Sequence, residues 1–136
     1  MRRWIAIATV VSFALAGCSR GNTPEGVAER FVQAYYVRID QTHALEFAGA
    51  LARDKLQQEL PLVAQARRGG GVEQARPKVE YTRTHTRSEG RQVFFFYDLT
   101  IQPTTFSPIL KQVLITTEQL GEQWKVINFS EMDRTC

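Results

Sequence analysis

An α+β fold, with N-terminal helices packed on one face of an antiparallel sheet of about four strands, is what this 136-residue sequence predicts. Three observations carry the prediction. Apolar residues recur at helical spacing up to about residue 66, the pattern changes to alternation after Pro77, and short turns join the alternating segments. Strands joined by short turns pair with their sequence neighbours, so a meander is the simplest order.

Thr23-Pro24-Glu25 opens the first helix, with Thr as N-cap, Pro at the first helical position and an acid in the first turn. Val27, Phe31, Ala34 and Tyr35 then form an apolar stripe to about Val37. Asp40 can cap a second helix, whose stripe is Ala44, Leu45, Phe47, Ala48 and Leu51. A third helical stretch holds Leu56, Leu60, Val63 and Ala64, and Pro61 is expected to start a new turn or kink it. Gly69-Gly70-Gly71 ends this half as a loop or hinge, because three glycines are entropically costly to order. The triplet lacks the surrounding residues of a phosphate-binding loop.

Lys78 to Arg87 reads as the first strand and Ser88 to Arg91 as a turn. Gln92 to Ile101 follows, with Val93, Phe95, Tyr97, Leu99 and Ile101 on one face and Phe94 and Phe96 on the other. A strand apolar on both faces is expected at the centre of a sheet, with partial cover on each side. After a loop with two prolines come strands at Ile109 to Thr117 and Trp124 to Phe129, joined by a turn around Gly121.

The chain begins with Met1-Arg2-Arg3, an apolar run from Trp4 to Ala16, and Leu15-Ala16-Gly17-Cys18. Basic residues before a run too short to span a bilayer are the pattern of an export signal. The last four residues resemble the lipobox of bacterial lipoproteins. That resemblance implies cleavage before Cys18, acylation of Cys18, and no Cys18–Cys136 disulfide. Ser19, rather than Asp, implies sorting to the outer membrane, periplasmic face. The expected organisation is a cleaved signal (1–17), a lipid-bearing tether (18–23) whose ceiling is roughly 20 Å, and one domain (24–136). Two of the basic residues behind the formal charge of +3 are Arg2 and Arg3, so the charge is a poor argument for nucleic-acid binding.

The run from Thr23 to Tyr36, followed by Asp40 and Ala44-Leu45, resembles the opening of NTF2-like domains in small bacterial lipoproteins. Gly121 to Phe129, where Trp124 precedes Val126-Ile127-Asn128-Phe129, is similar to their last strand. The resemblance implies a cone of helices closing on a curved sheet. It implies no particular activity, because this fold hosts isomerases, dehydratases, transport factors and assembly scaffolds.

Residues able to carry chemistry are few. Asp98 shares a face with Phe94 and Phe96 and is the best general-base candidate, but the preferred reading is that it meets solvent or pairs with an arginine. His43 and His85 have no ligand-spaced neighbours, so no metal is expected. Serine occurs in no nucleophile elbow. Tyr35, Tyr36, Tyr81, Phe95, Tyr97 and Trp124, with Asp98, could line a pocket between helices and sheet, although aromatics of this size more often form a core. Arg83, His85 and Arg87 stand at alternate positions and should share one side of the first strand, facing anionic headgroups, an acidic partner or only solvent. These readings lead to a lipid-anchored envelope protein whose domain is a non-catalytic binding or assembly module, with no cofactor and a possible envelope protein partner. The alternative is a small-molecule-binding protein or weak isomerase or hydrolase using the pocket.

Overall fold

The computed structural model describes residues 22–68 and 77–134. The expected signal, Cys18, the glycine triplet and Cys136 lie outside the described residues. Helix α1 spans Pro24–Val32 and continues as a π-helical turn, Gln33–Val37; α2 is Gln41–Ala44, followed by a 3-10 turn at Leu45–Phe47; α3 is Ala50–Arg68. The strands are β1 (Lys78–Glu89), β2 (Gln92–Gln102), β3 (Ile109–Leu120) and β4 (Gln123–Asp133). All pair antiparallel in the order β1-β2-β3-β4, and the helices pack on one face, as the patterning predicts.

The helix starts form as the sequence indicates. The Thr23 hydroxyl accepts the Gly26 N–H at 3.0 Å, and the Asp40 carboxylate accepts the His43 N–H at 3.1 Å. The second helix is shorter than its apolar stripe suggests. Ala48 leaves it to make a parallel bridge with Val126, the Gly49 N–H donates to Val126 O at 2.9 Å, and a new helix begins at Ala50. Leu51 consequently belongs to α3 and points outward, 51% exposed. Pro61 lies inside a continuous α3 rather than starting a new one, at an exposed position where the lost helical bond costs least.

Two β-bulges set which side chains face the helices. In β1 the register slips by one residue between Arg83 and His85, and in β4 it slips by one at Ile127. The β4 bulge places both Val126 and Phe129, three positions apart, in the core. Side chains bond the backbone beside it: Asn128 Oδ1 accepts the Phe129 N–H at 3.0 Å, and Lys55 Nζ of α3 donates to Phe129 O at 2.9 Å. Lys55 also donates to Asn128 Oδ1 and lies over the Phe129 ring, so one side chain ties α3 to this edge of the sheet. The core is formed by Phe31, Val32, Leu56, Phe95, Leu99, Val113, Ile115 and Val126, each 0–1% exposed.

Candidate functional site

Alternation along β2 divides the candidate pocket residues at the outset. Phe95, Tyr97 and Leu99 face the helices and are buried, whereas Phe94, Phe96 and Asp98 project from the other face and are only half-buried. The structure therefore brings Tyr35, Tyr36, Tyr81, Phe95, Tyr97 and Trp124 to the helix side and leaves Asp98 off it. Asp98 pairs with Arg134 across the sheet, an Arg134 Nη1 to Asp98 Oδ2 bond of 2.5 Å.

On the helix side the aromatics separate into two groups around Phe95. In the first, Tyr35 stacks on Phe31 with centroids 5.6 Å apart, and packs against Tyr36 and Phe129 at 4.7 and 4.9 Å. Its hydroxyl sits 2.9 Å from both oxygens of Glu59 on α3. Burial, then the hydrogen bond and charge of Glu59, hold the Tyr35 hydroxyl well above the usual phenol range. In the second, Tyr81 meets Tyr97 edge-on at 6.0 Å. The Tyr81 hydroxyl accepts from Gln33 Nε2 at 2.8 Å and donates to Glu29 Oε1 at 3.1 Å. Trp124 lies apart from both groups, near the β3–β4 turn, where its backbone N–H donates to Asn22 Oδ1 at 2.9 Å.

Neither group of aromatics lines any of three grooves at the rim, of about 440 Å³ beside Arg91 and Trp124, about 340 Å³ beside Arg38 and His43, and about 300 Å³ beside Leu45 and Lys125. Between helices and sheet the space is taken up by Phe31, Leu56, Phe95 and Ile115. Three buried polar atoms there, the hydroxyls of Tyr36 and Tyr97 and Oε1 of Gln41, have no partner among the described residues. Burial, reinforced by the charge of Glu131, pushes the Tyr36 phenol strongly upward, and burial with Glu29 does the same to Tyr97 against the opposing charge of Arg83. A phenol held neutral in this way can donate a hydrogen bond but is a poor base at ordinary pH.

The other face of the sheet carries no described helix. Phe94 pairs with Thr116 and Phe96 with Leu114 across β2 and β3, and no described element packs over them. The β1 bulge decides what borders this patch. Before it, Arg83 pairs with Tyr97 and lies 5.9 Å from the Phe95 ring, on the helix side. After it, His85 packs on Phe96 at 5.6 Å, and Arg87 lies 5.7 Å from the Phe94 ring. The expected basic ladder of Arg83, His85 and Arg87 is thus split between two faces, because the extra residue Thr84 reverses the alternation. Sequence reasoning has no signal for that reversal, since Thr84 sits in an unbroken run of polar residues. His43 Nδ1 lies 3.6 Å from the Glu46 carboxylate at an exposed position, and no cluster of metal-ligating residues occurs among the described residues.

No protein-family model matches this chain, and no curated protein sequence matches it. Among solved structures it is similar to a Thiobacillus denitrificans protein described as a calcium/calmodulin-dependent protein kinase type II association domain. The TM-score is 0.61 at 10% identity, covering 83% of this chain and 96% of that one. At this identity the likeness is one of fold alone.

Proposed function

We propose that this protein is a lipid-anchored component of a bacterial cell envelope, its domain an NTF2-like cone that works as a non-catalytic binding or assembly module. The observation that carries this reading is the pairing of a packed interior with a half-buried aromatic sheet face that no described helix covers. Phe94, Phe96 and Leu114 occupy the middle of a sheet face that no described helix covers, and apolar side chains left together on a surface mark interaction sites. The association-domain description of the structural neighbour accords with this reading. Lipidation of Cys18 would hold the module at the outer membrane, facing the periplasm.

The test places a photo-crosslinking amino acid at Phe96, and as a control at Gln58 on the exposed side of α3, in intact cells. A discrete protein adduct at position 96 and none at 58 is the expected result. No adduct at position 96, with the protein folded and exported, would count against the module. Fractionation of Cys18→Ser tests the anchor separately: that variant should leave the membrane pellet.

A small-molecule-binding role has one observation in its favour, the unpartnered hydroxyls of Tyr36 and Tyr97. Native mass spectrometry of the domain tests it, because a ligand on those hydroxyls would appear as a fixed mass increment.

A further inference from the structure

The hydrogen bond from the Trp124 N–H to Asn22 Oδ1 joins residues 102 apart in the sequence and fixes where the chain enters the fold. It holds Asn22 at one end of the sheet, the end formed by the β1–β2 turn at Gly90-Arg91 and the β3–β4 turn at Gly121-Glu122. Only four residue steps separate Asn22 from Cys18. Whatever path they take, covalent geometry limits that separation to roughly 14 Å. The polar headgroup layer takes up about 5–7 Å of it, half the difference between the full bilayer and its hydrocarbon core. Too little then remains to keep this end of the domain clear of the lipid. The opposite end, with Phe106 in the β2–β3 loop, is farther away by the length of β3, whose 12 residues extend about 40 Å.

We infer that the two-turn end of the sheet is the surface that rests on the bilayer, with Leu120 and Trp124 at the headgroup level. The inference rests on the lipid-anchor reading of Cys18. Leu120 is 40% exposed there, and Trp124 is partly buried beside the groove between the two turns. A partly buried indole with a wet edge suits the interface between water and hydrocarbon. Charges on the turns balance, with Arg87, Arg91 and Lys125 against Glu89, Glu118 and Glu122, and the tether adds the single charge of Arg20. Contact is therefore imposed by the short tether and the apolar side chains rather than by attraction to anionic lipid, and it needs neither acidic headgroups nor low salt. The sheet stands with its strands leading away from the membrane, which leaves Phe106, 79% exposed, at the distal tip.

The chain has two tryptophans, and Trp4 leaves with the signal, so fluorescence of the mature protein reports Trp124 alone. The experiment reconstitutes the processed, lipidated protein into phosphatidylcholine vesicles carrying a headgroup-attached spin-label quencher. A second protein, Trp124→Phe with Phe106→Trp, moves the reporter to the distal tip. Trp124 should lose fluorescence to the quencher and be shielded from aqueous iodide, and the position-106 reporter should do neither. Adding salt or anionic lipid should change neither result. Insertion of a twenty-residue Gly/Ser spacer between Ser19 and Arg20 should abolish the quenching of Trp124 while the protein stays in the membrane pellet. Vesicle-bound protein with Trp124 unquenched, or with the position-106 reporter quenched instead, overturns the orientation alone. Wild-type protein that fails to pellet with cell membranes overturns the anchor and the orientation together.

Discussion

Raising the pH above 10 should unfold this domain through its buried tyrosines, and folded molecules should show almost no tyrosinate at Tyr36 and Tyr97 beforehand. The chain has four tyrosines, and all four are shifted upward from the ordinary value of 10.0, burial being the largest cause in each. A phenol whose folded value lies above its unfolded one contributes stability that is complete below pH 10. That contribution falls as the pH rises, because only the unfolded chain releases the proton. Tyr36 and Tyr97 are 9% and 2% exposed, so their shifts are the least screened by water. Each removes about 1.4 kcal/mol of stability per pH unit above 10, close to 3 kcal/mol per unit for the pair. By pH 12 the loss is about 5 kcal/mol, which equals the whole stability of a marginal domain. The assay follows near-ultraviolet tyrosinate absorbance and far-ultraviolet circular dichroism across the same alkaline titration. The absorbance of Tyr36 and Tyr97, assigned by Tyr→Phe variants, should change together with the circular dichroism in one cooperative step. Gradual ionisation of Tyr36 or Tyr97 near pH 10 with the circular dichroism intact would refute the packing of these two residues described above.

Other substitutions separate the forces that hold the fold. Leu56→Ala empties a site that is 0% exposed, where α3 meets the sheet, and should cost about 2–5 kcal/mol by chemical denaturation. Thr117→Val keeps the side-chain shape but removes the 3.0 Å hydrogen bond from the Thr117 hydroxyl to Val93 O; a loss of about 1 kcal/mol is expected in the same assay. Asp98→Asn breaks an ion pair whose partners are 28% and 48% exposed, so thermal unfolding should reveal less than about 1 kcal/mol. Gly121→Ala meets no atom within 4 Å but forces a side chain onto a φ of +64°. It should cost about 1 kcal/mol of backbone strain, and an unchanged melting temperature would contradict that turn geometry.

Much of this architecture is written locally in the chain. Thr23-Pro24-Glu25 and Asp40 carry their capping chemistry with them, and both caps form as read. The four strands and their meander follow from alternation and short turns, which need no information from distant residues. The spacing of Val126 and Phe129 is different. In a regular strand, residues three apart face opposite sides, and only the bulge at Ile127, beside which Lys55 of α3 bonds Asn128 and Phe129, turns both inward. Leu51 likewise fits the stripe of the second helix by spacing, yet the bridge between Ala48 and Val126 ends that helix first.

The candidate pocket shows the same division. Composition and alternation identify Tyr35, Tyr81, Phe95, Tyr97 and Trp124 as inward-facing aromatics, and each does lie on the helix side. Whether such residues enclose a cavity depends on how far apart the elements stand and what fills the gap. That is settled by Phe31 and Leu56 arriving from two different helices and by Glu59 and Glu29 reaching the tyrosine hydroxyls. The sequence by itself determined the fold class, the helix starts and the faces of β2, because these arise from periodicity and from side chains acting on their own backbone. Only the tertiary structure decided the bulges, the split of Arg83 from His85 and Arg87, and the docking of Asn22 on Trp124. Each of those depends on hydrogen bonds and packing between residues remote in the chain, whose energies no local pattern encodes.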